Sequence, residues 1–248
     1  HVRPVLNMKS DQDIKNMKAI AEEAFDMVKK YRGSHSGEHG DGIVRSEFHE
    51  KMFGKKIINS FEQIKDSFDK NNLLNPHKIV RPYKSDDRSL MRYKSDYKAE
   101  NISTHYDWSS WGQFSDAVEM CNNNGACRKL DSGVMCPSYR VTKEEKDLVR
   151  GRANTLRLAL SNQLPKDSFV SKGMYETMEL CVSCKACQRE CPMSVDMAKM
   201  KSEFLSHYYR KFSMSIKDRV ISNMPKLVWL LKFSNPVINT LNKIPIFS

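Results

Sequence analysis

Residues 181–192 read CVSCKACQRECP, and this run decides how the second half of the chain is understood. Cys181, Cys184, Cys187 and Cys191 follow C-x2-C-x2-C-x3-C-P. In that spacing three thiolates wrap one iron–sulfur cube and the fourth ligates the other cluster of a pair. Two-residue spacers form a turn tight enough to aim three sulfurs and several backbone N–H groups at one small cube. Pro192 then turns the chain, so that Cys191 points toward a second cube. A zinc site would use two separated C-x2-C pairs rather than three consecutive steps.

If Cys191 serves a second cluster, further ligands must lie elsewhere, and CNNNGACRK (121–129) and MCPSYRVT (135–142) supply them. Cys121 and Cys127 keep the outer spacing of C-x2-C-x2-C, but Asn124 stands where the middle cysteine would be. Cys136-Pro137 takes the crossing role. The predicted assignment is Cys136, Cys181, Cys184 and Cys187 around a complete [4Fe–4S] cluster. Cys121, Cys127 and Cys191 would hold a second cluster, one thiolate short. That site could take a non-cysteine ligand, hold a [3Fe–4S] form or be empty.

Around these runs the composition sets bounds. The 248 residues carry 41 Lys+Arg against 30 Asp+Glu, a net charge of +11, with 40% apolar and 29% charged residues. That is enough apolar material for a core, which argues against a disordered chain. No window approaches the roughly 18 consecutive apolar residues of a spanning helix. The apolar run Leu227–Leu231 is broken by Lys232, Ser234, Asn235 and Pro236. The opening His1-Val2-Arg3-Pro4 has neither an initiator Met nor a signal-peptide pattern, and reads as an excerpt of a longer chain. All seven cysteines fall between residues 121 and 191. An odd, central cluster is a poor disulfide framework and points to metal or redox chemistry in a reducing compartment. The expected location is cytoplasmic. The last forty residues hold seven bases and one acid, Asp218. Such a tail suits acidic headgroups at the inner face of a membrane, an acidic partner or nucleic acid, as well as plain solvent.

The fold class expected is α+β. Residues 1–80 read as a compact α/β piece: a strand at 2–6, then an amphipathic helix over 11–31 with Gly33 just past its end. A second helix carries Ile57, Phe61, Ile64 and Phe68 and stops at an Asn-Asn-Leu-Leu-Asn-Pro turn. Residues 81–115 are polar and aperiodic and read as a linker. Residues 116–212 form a mainly helical cysteine-bearing domain, and 213–248 a basic helical tail. Thr142 and Glu145 suggest a capping box opening a helix to about Leu160. Another helix begins near Ser194, with Val195, Met200, Phe204 and Tyr208 on one face.

The loop GEHGDG (37–42) offers Glu as a metal ligand and His as a proton acceptor near neutral pH, although a plain surface turn has the same composition. The order HVRPVLN, SGEHGDGIVRSEF, an FGKK helix and NPHKIV (75–80) resembles the C-terminal end of FAD-linked oxidases of the D-lactate dehydrogenase, glycolate oxidase and D-2-hydroxyglutarate dehydrogenase types. The half from about 116 to 212, with MCPSYRVT, RGRANTLRLAL (150–160) and VDMAKMKSEFL (195–205), resembles the dicluster ferredoxin module of respiratory dehydrogenases. Basic Arg150 and Arg152 either line a cluster, where positive charge favours the reduced state, or form an ordinary helix face.

The resemblance implies FAD, [4Fe–4S] clusters and a divalent metal, with zinc the expectation. It makes Glu38 a metal ligand, His1 a second one and His39 the base that takes the substrate's hydroxyl proton. Asn75 matches the Asn of an NPGK motif near the flavin, with His77 in place of its glycine. The implied activity is oxidation of a D-2-hydroxy acid, with electrons passing through the clusters to a quinone, flavoprotein or cytochrome. A second reading is an electron-transfer subunit without a substrate site of its own. Nucleic-acid binding ranks last, because the aromatics near 93–111 follow no basic groove pattern; no nucleic-acid partner is expected.

Overall fold

A computed structural model describes residues 3–241 and divides the chain into two compact units, 1–97 and 98–248. In the first, helix α1 (Asp11–Lys30) has Asp11 and Asp13 in its first turn and Lys29 and Lys30 in its last. Both sets of charges oppose the helix dipole favourably. Gly33 lies just past its end, as expected. Arg32, not Gly33, takes the left-handed conformation (φ +55°), and the Gly33 N–H returns to the Val28 carbonyl at 2.9 Å. Short helices α2 (Gly42–Arg45) and α3 (His49–Phe53) follow, and then α4 (Lys55–Phe68). Asp69 stops α4 by accepting the Leu73 and Leu74 N–H groups at 2.9 and 2.8 Å. Lys65 hydrogen-bonds the same carboxylate, and these contacts hold Asp69 down to about 2.

The buried apolar side chains of this unit are Ile14, Phe25, Phe48 and Val80. Much of the α4 face expected to be core is uncovered: Ile57, Ile64 and Phe68 are 44, 59 and 87% exposed. The strand expected at 2–6 is not formed by residues 3–6, and Val5 is 99% exposed; Val2 lies outside the described residues. A strand needs a neighbour for its ladder hydrogen bonds, and no strand occurs among the described residues. The α+β class is therefore not seen in this stretch of chain.

The second unit is helical: α5 (Phe114–Glu119), α6 (Pro137–Thr142), α7 (Val149–Leu160), α8 (Lys172–Glu179), α9 (Ala186–Glu190), α10 (Met197–Lys211) and α11 (Ile216–Leu241). Helices α5, α8 and α10 pack on α7 around Phe114, Leu148, Leu156, Met178, Met200 and Phe204. Leu156 and Phe204 are fully buried, so truncating either to Ala would cost about 2–5 kcal/mol. The expected capping box is absent. Thr142 ends α6, with its hydroxyl on the Ser138 carbonyl, and α7 starts only after Leu148. Lys143, left-handed at φ +60°, breaks the helix between them. Gly151 explains the close seating of the 145–147 turn: a Cβ there would lie 2.0 Å from the Glu145 carbonyl oxygen.

The polar stretch 81–115 divides between the units. Its latter part is pinned by Glu203 of α10, which accepts the His105 and Tyr106 N–H groups at 2.9 and 3.0 Å and the Trp108 indole at 3.1 Å. Residues 216–241 of the tail form α11, interrupted in sequence by Pro225 and Pro236; residues 242–248 lie outside the described part. Among the described residues, no helix is long and apolar enough to cross a membrane.

Candidate metal centres

Cys136, Cys181, Cys184 and Cys187 all line one small, largely apolar pocket, together with Ser138, Arg152, Lys185, Met197 and Ala198. Five elements meet there: the start of α6, the first turn of α7, the 181–185 loop, α9 and the start of α10. Two residues of that loop, Ser183 and Lys185, adopt left-handed φ values of +54° and +60°. Such a conformation costs a residue with a Cβ about 1–2 kcal/mol and is the kind of strain that collects at functional sites. Cys187 is buried beneath the first turn of α10. Burial pushes its thiol up to about 11, against the opposing pull of the Met197 and Ala198 N–H groups. Metal binding at Cys187 must therefore release the thiol proton.

Arg152 is fully buried beside this pocket. Its guanidinium lies 3.7 Å from the Cys136 sulfur, 3.2 Å from the Ser138 hydroxyl and 2.9 Å from the Thr177 carbonyl, with Asp147 at 3.8 Å. The basic residue read as either cluster-facing or a helix face is thus aimed at a thiol. What the sequence could not reveal is its complete burial.

The 121–127 loop repeats this plan. Asn123 and Gly125 are left-handed at φ +63° and +79°, so Asn124 sits between two left-handed residues as Cys184 does. Gly125 accepts from the Arg128 N–H as Lys185 accepts from Gln188, at 2.9 and 3.1 Å. Cys121 and Cys127 are buried. Burial raises the Cys127 thiol, opposed by the N–H of Arg150 in the first turn of α7. Helix α9, which runs into Cys191, packs on the turn Ala126–Arg128. The Asn124 side chain is spent within the loop: its amide donates to Asn122 at 2.6 Å and its oxygen accepts the Ala126 N–H at 2.8 Å.

In the first unit, Glu38 and His39 sit side by side, Oε1 to Nε2 at 3.3 Å, and their side chains are 73 and 52% exposed. Gly37, Gly40 and Gly42 all have positive φ, and a Cβ at any of them would meet nothing within 4 Å. Conformation, not crowding within this chain, accounts for these glycines. Asn75 lines an open groove with Phe61, Ile64 and Lys78. His77 keeps a positive φ of +61° while its ring packs on Tyr83 at 4.1 Å. The residue at the family's glycine position thus retains a glycine-like backbone. His1 lies outside the described residues.

One group was missed from the sequence. His35, Asp41 and His49 place one donor atom each within 4.8 Å of one another. Their sequence spacing matches no motif, and only the fold brings them together.

Comparison with known proteins agrees with this division. Residues 1–79 match the C-terminal domain of FAD linked oxidases, and residues 117–195 match the 4Fe-4S dicluster domain. The D-2-hydroxyglutarate dehydrogenase of Pantoea ananatis is 28% identical, over 99% of this chain and 27% of that protein. Those of Haemophilus influenzae and Escherichia coli are 30 and 29% identical, over 95 and 90% of this chain and 26 and 25% of theirs. The chain thus spans about a quarter of the length of these relatives. No solved structure matches. The four-cysteine pocket and the GEHGDG loop fall inside the two matched segments, and the chain joins an FAD-linked oxidase C-terminal domain to a 4Fe–4S dicluster domain.

Proposed function

We propose that this chain is part of a flavin- and iron–sulfur-dependent dehydrogenase that oxidises a D-2-hydroxy acid such as D-lactate, glycolate or D-2-hydroxyglutarate. The observation that carries the reading is the convergence of Cys136, Cys181, Cys184 and Cys187 on one pocket, in the same chain as a GEHG loop. When bound, FAD would supply a two-electron acceptor, and the clusters would supply one-electron relays toward a quinone, flavoprotein or cytochrome. Three thiolates from the 181–187 loop and one from Cys136 hold the complete cluster, with Arg152 countering their charge. Cys121, Cys127 and Cys191 hold the second. His39 takes the substrate hydroxyl proton at a ring nitrogen, and the neighbouring Glu38 carboxylate steadies the imidazolium that results. Glu38 and His1 would contribute to a divalent-metal site, zinc by preference, and Asn75 would belong to the flavin-binding region.

Residues 3–6 would gain strand character by pairing within a larger oxidase domain. The exposed row Ile216, Val220, Met224 and Val228 on α11, with Lys217, Arg219 and Lys226 nearby, supports a peripheral contact with an anionic membrane surface. Flotation with anionic and neutral vesicles tests that contact.

The main test is stopped-flow flavin reduction by the D-2-hydroxy acids in the full-length protein. His39→Asn should assemble clusters normally but reduce flavin at least about 10²-fold more slowly. Full-rate reduction in that variant removes His39 as the base. The exposure of Glu38 and His39 is the feature that favours an electron-transfer subunit instead. A full-length protein that binds no flavin would establish that alternative.

A further inference from the structure

We infer that His35, Asp41 and His49 form a divalent-cation site of zinc type, separate from Glu38 and from the cysteine pockets. The argument begins with protons. His49 Nδ1 lies 3.3 Å from the Ile79 carbonyl oxygen, which can only accept, so Nδ1 carries the hydrogen. In the neutral ring Nε2 is then a bare lone pair, and it faces Asp41 Oδ2 at 3.2 Å. Two acceptors at that distance repel unless a cation lies between them.

His35 Nε2 lies 3.4 Å from the other carboxylate oxygen, Asp41 Oδ1. The two His35 ring nitrogens, Asp41 Oδ1 and His49 Nε2 are buried without a hydrogen-bond partner. The His35 and His49 side chains are only 4 and 3% exposed, and that of Asp41 is 26% exposed. The Nε2–H tautomer of His35 would satisfy its own contact with Oδ1 but leave its buried Nδ1 without a partner, and His49 Nε2 would still face Oδ2 as a bare lone pair. One divalent ion satisfies both His–Asp pairs.

The spacing suits such an ion. Tetrahedral zinc, with bonds of about 2.0–2.2 Å to nitrogen and oxygen, sets its ligands about 3.3–3.5 Å apart. The two His–Asp separations, 3.4 and 3.2 Å, are close to that edge length. The surroundings also fit. A ligating imidazole usually donates its other N–H to a carbonyl or carboxylate, as His49 does to Ile79. Phe25 and Phe53 pack on the histidine rings at 5.0–6.0 Å, giving the dry shell that strengthens such bonds. Two imidazoles and a carboxylate select a borderline transition ion over magnesium or calcium.

The position gives the site a role. His35 precedes the GEHGDG loop, Asp41 lies near its end and His49 opens α3. An ion bound to all three clamps the loop at both sides and ties it to α3. The loop's Glu38 and His39 are then held out toward solvent by a fixed base. This inference does not depend on the hydroxy-acid reading, because it concerns binding alone.

The test uses the full chain with clusters loaded, freed of adventitious metal and titrated with zinc. We expect an ion whose zinc K-edge absorption shows two imidazoles and oxygen but no sulfur. Asp41→Asn and His49→Gln should each weaken its binding by at least about 10²-fold, beyond the 10–100-fold that outer-shell changes cost. Glu38→Gln should retain it. Zinc should also slow amide hydrogen exchange across residues 35–49 in the parent protein, a readout that needs no variant to fold. The inference is overturned if the parent binds no zinc without sulfur, if the double variant Asp41→Asn/His49→Gln binds as tightly as the parent, or if only Glu38→Gln loses the ion.

Discussion

The two cysteine loops share a backbone and differ in what holds it. Residues 181–187 place Ser183 and Lys185 in left-handed conformations on either side of Cys184; residues 121–127 place Asn123 and Gly125 there, on either side of Asn124. Asn and Gly tolerate that region far better than Ser or Lys. The Asn loop is also fastened by its own amides, since Asn154 donates to Asn123 at 2.7 Å and Asn124 bridges Asn122 and Ala126. Each loop ends on a buried cysteine that receives N–H groups from a helix N-terminus, α7 for Cys127 and α10 for Cys187. Each also has its own arginine. The comparison suggests one loop shaped to stand without a full set of ligands and another that relies on its cluster for shape.

The largest effect should come from Cys184→Ala. The 181–187 loop would lose its central thiolate and the means to offset two strained residues. Iron content should fall by about four per chain, while flavin reduction by substrate persists in the full-length protein. Unchanged iron would break the ligand assignment. In the cluster-free chain, amides of 182–186 should exchange faster than those of 122–126; the reverse order would refute the contrast in intrinsic stability.

Asn124→Cys is the complementary change and should have a smaller effect. It restores C-x2-C-x2-C at 121, 124 and 127 without altering loop length, and replaces a neutral amide with a thiolate, a stronger iron ligand. It also removes the acceptor for the Ala126 N–H, at a cost of about 1 kcal/mol. The variant should bind about eight irons per chain and resist oxidative conversion, whereas the parent binds fewer or gives a [3Fe–4S] signal in EPR. Two oxidation-resistant [4Fe–4S] clusters in the parent would mean that another residue completes the site.

Much of this contrast was readable in the sequence because it is local. Spacing alone grouped Cys181, Cys184 and Cys187, and Asn124 announced itself by standing where a cysteine belongs. Helical periodicity placed α1, α4 and α10 to within a few residues. What failed depended on distant partners. The strand at 2–6 needs a neighbour that the described residues do not provide. The pair Thr142 and Glu145 has the spacing of a capping box, but Lys143 turns left-handed and Glu145 bonds Arg150 instead. The triad of His35, Asp41 and His49 left no periodic trace, because its members come from a loop and a later helix.

The arginines give a third way to sharpen the comparison. Arg152 is fully buried against Cys136, whereas the Arg150 side chain is 22% exposed and reaches the Asn123 carbonyl at 3.4 Å. A buried positive charge about 6 Å from a cluster, at an effective dielectric of about 20, contributes roughly 3 kcal/mol, on the order of 100 mV for one electron. Arg152→Met should lower the potential of the cluster held by the 181–187 loop by that order. Arg152→Lys should recover part of the shift, which a purely structural role would not predict. Arg150→Met should move the other cluster less, and less still at high salt. Equal shifts in both clusters would remove the distinction.

The smallest effect concerns pH and separates the two arginines by their counterions. Arg150 forks onto Glu145, Nε to Oε1 at 2.6 Å and Nη2 to Oε2 at 2.9 Å, and this pairing holds the carboxyl below its ordinary range. A carboxylate with a depressed folded pKa adds stability that is present above its unfolded value, about 4.3, and is lost as pH falls through the folded value. Protonating Glu145 also leaves the Arg150 charge uncompensated beside Cys121 and Cys127. The potential of that cluster should therefore rise slightly as pH falls below the ordinary carboxylate range, and the rise should shrink with added salt because Glu145 is half exposed. Glu145→Gln should flatten this pH dependence by fixing the potential near its acid value, without moving the cluster beside Arg152. Potentiometric titrations of parent and variant, followed by EPR from neutral pH down through and below the ordinary Glu value of about 4.3, would measure it. A rise that survives in Glu145→Gln would assign the proton to another group and detach Arg150 from the tuning of the Asn124 loop.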